Sequence, residues 1–554
     1  DDWGIDASEL YNISRPGVRL ANMSNLRRLL YSSGVISGDP DNGLLFTRGY
    51  SQPICSPTRA TLLTGRQTYQ HGVGNPGQNS NLPAGETTFP ELISVQAPQY
   101  AMAAFGKWHL GSGNTGPMTT GGWPNFSGTL QGGIRDYNAW TRIKIENGTL
   151  TDAGTAVADL VANGTYTSPY ATSVQVDEAV SFITSQEDNP WLIWMGFNAP
   201  HDPFQDPPQD LAPEGGYSTN GTTNQDNYIR MLEALDTEIG RLLESVDLDK
   251  TNIIVIGDNG TPNQVDQPPL GGIAGAKGSL NEGGIHVPFF ATGPDIHLRG
   301  TTDKLAHVAD LFTTILDLTG VDTLAVTDGL DIHSTSLVPV FNGNDTAQRC
   351  IIAEKWGINA ADGRSLIMDQ WPQYKLVSIQ DVTDPDDVPN YQMYLLGNNG
   401  VETTTLTTPP NPGDLHEAAY NALVAKDQSL DPVVVATITV DIDLPATGVS
   451  TNGRVANLPA LVNASNGNIV RPMGITIGGE VATWNNGDIT VGGVTSSAAR
   501  VDESGSPDRA SVVAQFNISA SSLVSGQNYP IVVTFRGGGG NSRIFTATNS
   551  FLMP

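Results

Sequence analysis

The sequence is poor in positive charge. Among its 554 residues, 28 lysines and arginines stand against 57 aspartates and glutamates, which gives a formal net charge of -29 at pH 7. A chain this acidic repels nucleic acid and anionic membrane surfaces, so we expect neither as a partner. Because cations are so scarce, several of them gathered in short motif-like runs indicate a site that holds an anion.

Cysteine and long apolar runs are scarce as well. The two cysteines, Cys55 and Cys350, lie far apart in the sequence, and a disulfide between them would use up the better candidate nucleophile. Cys350 lies in an apolar run that is typical of a buried structural thiol. No apolar run reaches the roughly 20 residues of a membrane-spanning helix. The acidity and the many Gly, Asn, Thr and Ser residues favour a secreted or periplasmic protein, and we expect its signal segment to lie outside the given sequence.

The most informative stretch is CSPTRATLLTGR, which begins at Cys55. Pro57 suits the first position of a helix, and Gly65 suits the left-handed residue that ends one, so the thiol is predicted at a helix start. The free N–H groups of that first turn, together with Arg59, would form an anion site beside the thiol. A cysteine is often a small buried hydrophobe, but the polar neighbours here favour a nucleophile.

Two predicted strands end in groups that can carry charge or a proton. The apolar run 100–105 predicts a buried strand that leads to Lys107 and His109, and both side chains point the same way if the backbone stays extended. The run 191–197 predicts a second strand, which is followed by His201 between two prolines. A histidine held that rigidly suits a proton donor.

Carboxylates and an amide follow at two further strand ends. The apolar run 252–257 predicts a buried strand that leads to Asp258 and Asn259, while Asp1 and Asp2 open the chain. We expect a first strand to precede this Asp pair, outside the given sequence. Either pair alone is typical of a solvated turn, but hard divalent cations prefer these oxygens, and the parallel between the two strand ends favours a shared metal site.

These residues resemble the type I, formylglycine-dependent sulfatases of the alkaline phosphatase superfamily, which include the arylsulfatases. The resemblance is carried by the runs around four residues, namely Cys55, Lys107, His201 and Lys277. The sequence departs from many relatives in having His286 where they have arginine. The resemblance implies an α/β fold with an alkaline-phosphatase-like doubly wound core, in which ligands gather at the carboxyl ends of the strands.

The resemblance also implies a division of roles. A formylglycine-generating enzyme would convert Cys55, and one Ca²⁺ ion would be held by Asp1, Asp2, position 55, Asp258 and Asn259. A hydroxyl of the aldehyde hydrate would attack sulfur while His201 protonates the departing alcohol, and His109 would then help the second hydroxyl to expel sulfate. Arg59 and Lys107 would orient the hydrate, and Lys277 would bind sulfate oxygens. The predicted activity is sulfuric ester hydrolysis of a sulfate monoester, expected on a carbohydrate.

The chain is predicted to have three parts. Residues 1–340 would form the catalytic α/β domain, with an amphipathic helix over 305–320, and residues 341–431 a small α+β subdomain of sheet and helix. Short Val, Ile and Thr runs punctuated by Gly and Asn predict an accessory all-β sandwich over 432–554. The Gly-rich and Asn-rich residues 112–165 show no periodicity and predict an irregular rim of a substrate cleft.

Two alternatives stay open at this point. A hydrolase of phosphonate monoesters or phosphodiesters would share the formylglycine and the core, although two lysines and a strand-end histidine favour sulfate. A non-catalytic binding protein would result if Cys55 were never converted. The sulfated alcohol also stays open among polysaccharides, glycosaminoglycan fragments and small aryl esters.

Overall fold

The fold was analysed in a computed structural model of the chain. It describes residues 1–430 except 12, 14–17, 78–79, 213–222, 269, 271–274, 357–361, 381–388 and 398–399, and from residue 431 onward it describes only the backbone of the strands. The chain divides into two compact units. The first consists of Asp1–Gly357, Asp362–Ile379 and Asn390–Asp427, and the second includes Gln428–Pro554.

Helices and strands alternate through most of the first unit. The helices are α1 (Ser24–Leu30), α2 (Cys55–Thr64), α3 (Thr68–His71), α4 (Phe89–Gln96), α5 (Gly116–Thr119), α6 (Val157–Ala162), α7 (Ala171–Gln186), α8 (Asn224–Leu243), α9 (Glu282–Ile285), α10 (Asp310–Leu318), α11 (Thr323–Thr327), α12 (Val338–Phe341) and α13 (Glu417–Ser429). The strands before residue 430 are β1 (Leu44–Phe46), β2 (Gly49–Tyr50), β3 (Ala101–Lys107), β4 (Phe126–Thr129), β5 (Thr141–Glu146), β6 (Thr149–Ala156), β7 (Trp191–Gly196), β8 (Ile253–Ile256), β9 (Phe289–Thr292), β10 (Gly300–Thr302), β11 (Ala306–His307), β12 (Cys350–Lys355), β13 (Asp362–Met368), β14 (Tyr374–Gln380), β15 (Asn390–Leu396) and β16 (Glu402–Leu406). Short 3₁₀ turns occupy Glu9–Tyr11 and Asn263–Val265.

Two mixed sheets form the core, with helices on both faces. One has the strand order β6-β5-β4-β3-β7, with β3 parallel to β4 and β7, and the other has the order β10-β1-β9-β8. Successive residues of β1 point to opposite faces. Leu44 and Phe46 pack in a cluster with residues of α2, α4 and α10, whereas Leu45 packs in a second cluster with residues of α1 and α8. The predicted mixed α/β core is therefore confirmed, while its winding order stays a prediction.

Strand β8 differs from its prediction. The run Ile253–Ile256 was expected to be a buried strand, but all four residues are only half-buried, as are the first five residues of β7. Each of these two strands is the terminal strand of its sheet. A terminal strand lacks one neighbour, so its side chains are covered less completely.

The segment 112–165 also differs, because it is largely regular. Strand β4 extends the sheet next to β3, and β5 and β6 form an antiparallel hairpin beside it. The hairpin turns at Asn147 and Gly148, both of which have positive φ. An Asn-Gly pair between two strand-like runs is a strong hairpin signal, and this signal was present in the sequence. The prediction of an irregular segment was therefore wrong.

Two helix boundaries also need correction. Helix α2 begins at Cys55, so Pro57 is its third residue and not its first. The missing N–H of Pro57 still costs nothing there, because N–H groups in the first turn have no carbonyl partner within the helix. The predicted helix over 305–320 begins only at Asp310, because Ala306–His307 form the short strand β11, which pairs with β2.

Strands β12 to β16 form a five-stranded sheet in sequence order. A buried ion-pair cluster ties this sheet to α9, since the Lys375 ammonium lies 2.9 Å from the Glu282 carboxylate and 2.8 Å from that of Glu402. His286 belongs to the same cluster, with its Nδ1 3.0 Å from Glu282. The histidine that departs from the family pattern therefore lies in a structural contact.

From Val433 onward, the part of the chain that the structure describes is all-β. Its strands are β17 (Val433–Asp443), β18 (Val462–Asn463), β19 (Asn468–Ile469), β20 (Pro472–Ile477), β21 (Glu480–Val491), β22 (Val494–Ser496), β23 (Arg509–Ser519), β24 (Asn528–Arg536) and β25 (Ser542–Leu552). Seven of them form one antiparallel sheet in the order β17-β23-β21-β20-β24-β25, with β22 beside β21. The all-β character is confirmed, and the sandwich arrangement stays a prediction. Across the described residues of the chain, no helix is both long and apolar enough to span a bilayer.

The buried His71 makes stability depend on pH. Its Nδ1 accepts a hydrogen bond from the Val73 N–H at 3.1 Å, and its Nε2 lies 3.0 Å from the Thr61 hydroxyl, so both bonds form with a neutral ring. Burial, helped by the positive charge of Arg66, lowers the pKa of His71 to about 3. Between that value and the unfolded pKa of about 6.5 the unfolded chain binds the extra proton, so falling pH favours unfolding.

We expect this residue to cost up to about 1.4 kcal/mol of unfolding free energy per pH unit below about pH 6.5. Denaturant unfolding near neutral pH and near pH 5 measures how far the free energy of unfolding falls between the two pH values. We expect this fall to be smaller in His71→Asn than in the unmutated protein by roughly 2 kcal/mol. The exposed His297 provides a matched control as His297→Asn. Equal losses in the unmutated protein and in His71→Asn would contradict the expectation.

Candidate active site

The first turn of α2 joins two strand ends. Cys55 is the first residue of the helix and is 2% exposed. The Thr58 hydroxyl donates to the backbone carbonyl of Asp258 at 2.6 Å, and the Ser56 hydroxyl donates to the carbonyl of His109 at 2.9 Å. These bonds hold position 55 between the turn after β8 and the turn after β3.

The four predicted metal-ligating residues outside α2 lie together. The Asp2 backbone N–H donates to Asp258 Oδ1 at 2.8 Å, and the Asn259 amide donates to Asp2 Oδ1 at 2.8 Å. Asp2 has a positive φ of 57° and is fully buried, and its carbonyl accepts a hydrogen bond from the Tyr228 hydroxyl at 2.7 Å. The chain start is thus tied to α8 and to the turn after β8.

Three cations converge on the same carboxylates. The Lys107 ammonium lies 2.5 Å from Asp1 Oδ2, and the Lys277 ammonium lies 2.7 Å from Asp2 Oδ1. Arg59 lies 3.4 Å from Asp1 Oδ2 and 3.6 Å from Asp258 Oδ2, with its guanidinium 5.6 Å from the centre of the Trp194 ring. In a chain this short of cations, three of them surround a single pocket.

Both candidate histidines lie near the thiol and affect its pKa. His201 Nδ1 donates to the carbonyl of Asp202 at 2.8 Å, which leaves Nε2 facing the pocket, 3.9 Å from Asp2 Oδ2. His109 reaches close enough to Cys55 for each group to shift the pKa of the other. It does so from a left-handed backbone, with φ of 56°, just beyond the end of β3. The prediction that the Lys107 and His109 side chains point the same way assumed an extended backbone, and the backbone is not extended at His109. Both side chains nevertheless reach the pocket.

The surrounding charges set the ionisation of the unmodified site. Burial alone would raise the pKa of the Cys55 thiol, but Lys107, Lys277 and hydrogen bonds from the two histidines bring it well below its ordinary value. Burial would likewise raise the pKa of Asp258, yet Arg59 and Lys107 hold it below the usual range. The pocket therefore stabilises negative charge at both positions.

The oxygen atoms that face the pocket fit a hard cation. Three buried oxygens of the proposed metal ligands have no hydrogen-bond partner among the described residues, namely Oδ1 of Asp1, Oδ2 of Asp258 and Oδ1 of Asn259. A buried acceptor without a donor is costly, and Ca²⁺ is bound by carboxylate and amide oxygens of this kind. Ligand atoms of Asp1, Asp2, Cys55 and His201 also lie within 4.8 Å of one another. The donor set thus suits a Ca²⁺ ion.

Close backbone packing brings these strand ends together. A Cβ atom on Gly128 would lie 1.8 Å from the carbonyl oxygen of Gly106, and one on Gly106 would lie 2.2 Å from that of Gly196. Only glycine fits at positions 128 and 106, which lie on the adjacent strands β4 and β3. Sequence reasoning missed this packing, as it missed the anchoring roles of Ser56 and Thr58, although both hydroxyls stand within the recognised run.

Comparison with known proteins agrees with this geometry. A family model described as Sulfatase matches residues 21–321. The uncharacterized sulfatase YdeN of Escherichia coli (strain K12) is 29% identical over 324 residues, which cover 54% of this chain and 55% of that protein. N-acetylgalactosamine-6-sulfatase of Homo sapiens is 28% identical over 330 residues, which cover 53% of this chain and 59% of that protein. The chain thus spans little more than half the length of these curated relatives.

A solved structure extends the likeness in fold. It contains an enzyme in complex with its substrate D-glucosamine-2-N,6-O-disulfate, and it matches with a TM-score of 0.56 at 18% identity. The match covers 77% of this chain and 95% of that chain. At this identity the likeness concerns the fold alone. Because the family model spans more than half of the sequence, the chain belongs to the sulfatase family.

Proposed function

We propose that this chain is a sulfuric ester hydrolase that releases sulfate from a sulfated carbohydrate, with formylglycine formed from Cys55 and one bound Ca²⁺ ion. The observation that carries the proposal is the convergence of Cys55 with three cations and two histidines in one buried pocket. The carbohydrate is suggested by the relative named N-acetylgalactosamine-6-sulfatase and by the neighbour crystallised with a sulfated glucosamine. Maturation would need a formylglycine-generating enzyme as a partner.

Charge balance supports the role of the metal. The carboxylates of Asp1, Asp2 and Asp258 are matched by three cations, which leaves no surplus positive charge for an anionic ester. Ca²⁺ held by these carboxylates, Asn259 and position 55 would supply two further positive charges beside the developing negative charge. The three oxygens without a hydrogen-bond partner described above are available to it.

The side chains divide the remaining work. Lys277 would bind sulfate oxygens, while Lys107 and Arg59 would orient the group at position 55. When Cys55 has been converted, the hydrated aldehyde supplies the oxygen that attacks sulfur. His201 Nε2 would give its proton to the ester oxygen as the sulfur–oxygen bond to the alcohol breaks. His109 would then take the proton of the second hydroxyl at position 55, so that the aldehyde would re-form as the bond to the sulfate oxygen breaks, and water would hydrate it again. Overall, water is consumed, and an alcohol and sulfate are released.

The domain assignment enters as part of the proposal. All the proposed catalytic and metal-ligating residues lie within residues 1–340, which supports that range as the catalytic domain. Residues 341–431 would form the α+β subdomain, and 432–554 an accessory sandwich. A secreted or periplasmic location also stays a prediction.

The test compares the rates at which the full chain hydrolyses different esters. The chain is co-expressed with a formylglycine-generating enzyme, and mass spectrometry confirms that it carries the aldehyde. We expect sulfate release from 6-sulfated N-acetylgalactosamine and from nitrophenyl sulfate, and much slower hydrolysis of a phenylphosphonate ester or a phosphodiester. Faster turnover of the phosphorus esters would favour the phosphonate or phosphodiester hydrolase. Binding of sulfated polysaccharide by aldehyde-bearing protein without any release would favour a binding protein.

A further inference from the structure

A short loop from the segment between β4 and β5 lies against both candidate histidines. We call residues 132–137 the histidine loop. A Cβ atom on Gly132 would lie 2.5 Å from Cε1 and Nε2 of His109, and one on Gly133 would lie 3.2 Å from Cε1 of His201. The backbone of the histidine loop is therefore in contact distance of both rings, and the two glycines make that approach possible.

The far end of the histidine loop is fixed to the segment that carries His201. The Tyr137 hydroxyl lies 2.9 Å from the carbonyl oxygen of Asn198 and 2.8 Å from that of His201, and its single proton is shared between these two acceptors. The Tyr137 backbone N–H donates to Gln205 Oε1 at 2.6 Å. Tyr137 thus holds the His201 segment at three points.

This attachment lies in a buried setting where a hydrogen bond matters. Tyr137 and Asn198 are fully buried, and the Asn198 side chain is itself held by Gln175, whose amide donates to it at 2.7 Å. Burial raises the pKa of the Tyr137 hydroxyl well above its ordinary value, so it stays protonated and donates. The Asn198 carbonyl also accepts a hydrogen bond from the His201 N–H at 2.9 Å, so loss of the Tyr137 hydroxyl removes the donor to the His201 carbonyl in particular and frees that end of the turn to shift.

We propose that Tyr137 is a positioning residue for His201, and that the histidine loop sets the distance between the His201 ring and the ester oxygen that receives its proton. This inference rests on the proposed function. It extends that function because Tyr137 and the two glycines lie outside the motifs that carry the family resemblance. Tyr137 acts through the backbone carbonyls of residues 198 and 201.

The leaving group provides a readout that a purely structural role would not move. A nitrophenolate departs readily without a proton, whereas the alcohol of an alkyl or sugar sulfate needs one as its bond to sulfur breaks. Proton donation by a positioned side chain typically contributes about 10²–10⁴-fold to a rate. A displaced His201 should therefore slow an alkyl or sugar sulfate much more than nitrophenyl sulfate.

The experiment compares Tyr137→Phe with Tyr170→Phe in the full, aldehyde-bearing chain. Both tyrosines are fully buried, with ring centres 5.8 Å apart, and only Tyr137 holds the His201 segment through its hydroxyl. We expect Tyr137→Phe to lower kcat/KM for a sugar sulfate at least about tenfold more than for nitrophenyl sulfate. Tyr170→Phe should leave the ratio of the two rates unchanged.

A second variant keeps the test decisive if Tyr137→Phe folds poorly. Gly133→Ala adds one methyl group beside the His201 ring without removing a hydrogen bond, and it should change the ratio of rates in the same direction. An unchanged ratio in both variants would overturn the inference. If the unmutated protein released sulfate from neither substrate, the proposed function itself would fail, which is a different result.

Discussion

Replacing Cys55 by alanine is expected to abolish sulfate release, with a fall in kcat of at least about 10⁴-fold. The residue is buried at the first turn of α2, where nearby lysines and the two histidines outweigh the effect of burial and lower the pKa of its thiol. Alanine leaves the helix intact because Cys55 contributes no helix cap. The change therefore removes the reacting group and little else.

Cys350 offers a matched control. It is the other cysteine of the sequence and lies on β12, and burial raises its pKa to about 12, as expected of an unreactive thiol. Both cysteines are free in the structure, so neither change breaks a disulfide. Cys350→Ala should keep the full rate of sulfate release. Comparable losses in the two variants would indicate a general loss of structure and would contradict the role assigned to Cys55.

The second large effect is expected on Ca²⁺ binding and activity, and two separate changes test it: the substitution Asp258→Asn and removal of the metal from the unmutated protein. The substitution keeps an oxygen that can accept from the Asp2 N–H, but it removes one of three carboxylate charges and the ion pair with Arg59. Loss of a charged oxygen ligand should weaken Ca²⁺ binding by at least about 10–100-fold and lower kcat to a similar degree. Chelation of the unmutated protein should abolish activity, and added Ca²⁺ should restore it.

Asp236→Asn is the matched control for this prediction. Asp236 is also a buried aspartate, but it lies on α8 and accepts backbone N–H bonds from Asn25 and Leu26 at 2.8 and 2.9 Å. Its replacement should leave Ca²⁺ affinity unchanged. Calorimetric titration of chelator-treated protein gives the dissociation constants directly. Equal affinities in Asp258→Asn and Asp236→Asn would exclude Asp258 from the metal site.

Local motifs predicted the catalytic neighbourhood better than they predicted the elements around it. Residues that follow a strand or begin a helix, such as Lys107, Asp258 and Cys55, could be assigned to one pocket because the carboxyl ends of strands meet at one edge of the core. The distances, and the pairing of each cation with a particular carboxylate, depend on tertiary packing. No short-range pattern in the sequence contains that information.

The misses have physical causes that can be named. The β5–β6 hairpin was overlooked although Asn147 and Gly148 mark its turn, because polar residues alternate weakly along its strands. The left-handed backbone of His109 is rare for a residue with a side chain, so extended geometry was the natural expectation. Tyr137 was missed because it lies in an irregular loop. Such a loop has no regular spacing of apolar residues that would indicate a contact with a distant segment.

The central claim is that sulfate release depends on the conversion of Cys55. The most direct test measures the rate of sulfate release in preparations that differ only in the fraction of Cys55 converted to the aldehyde, as determined by mass spectrometry of the peptide that contains it. The account predicts a rate proportional to that fraction, with no release from fully unconverted protein. Equal rates in converted and unconverted preparations would contradict it.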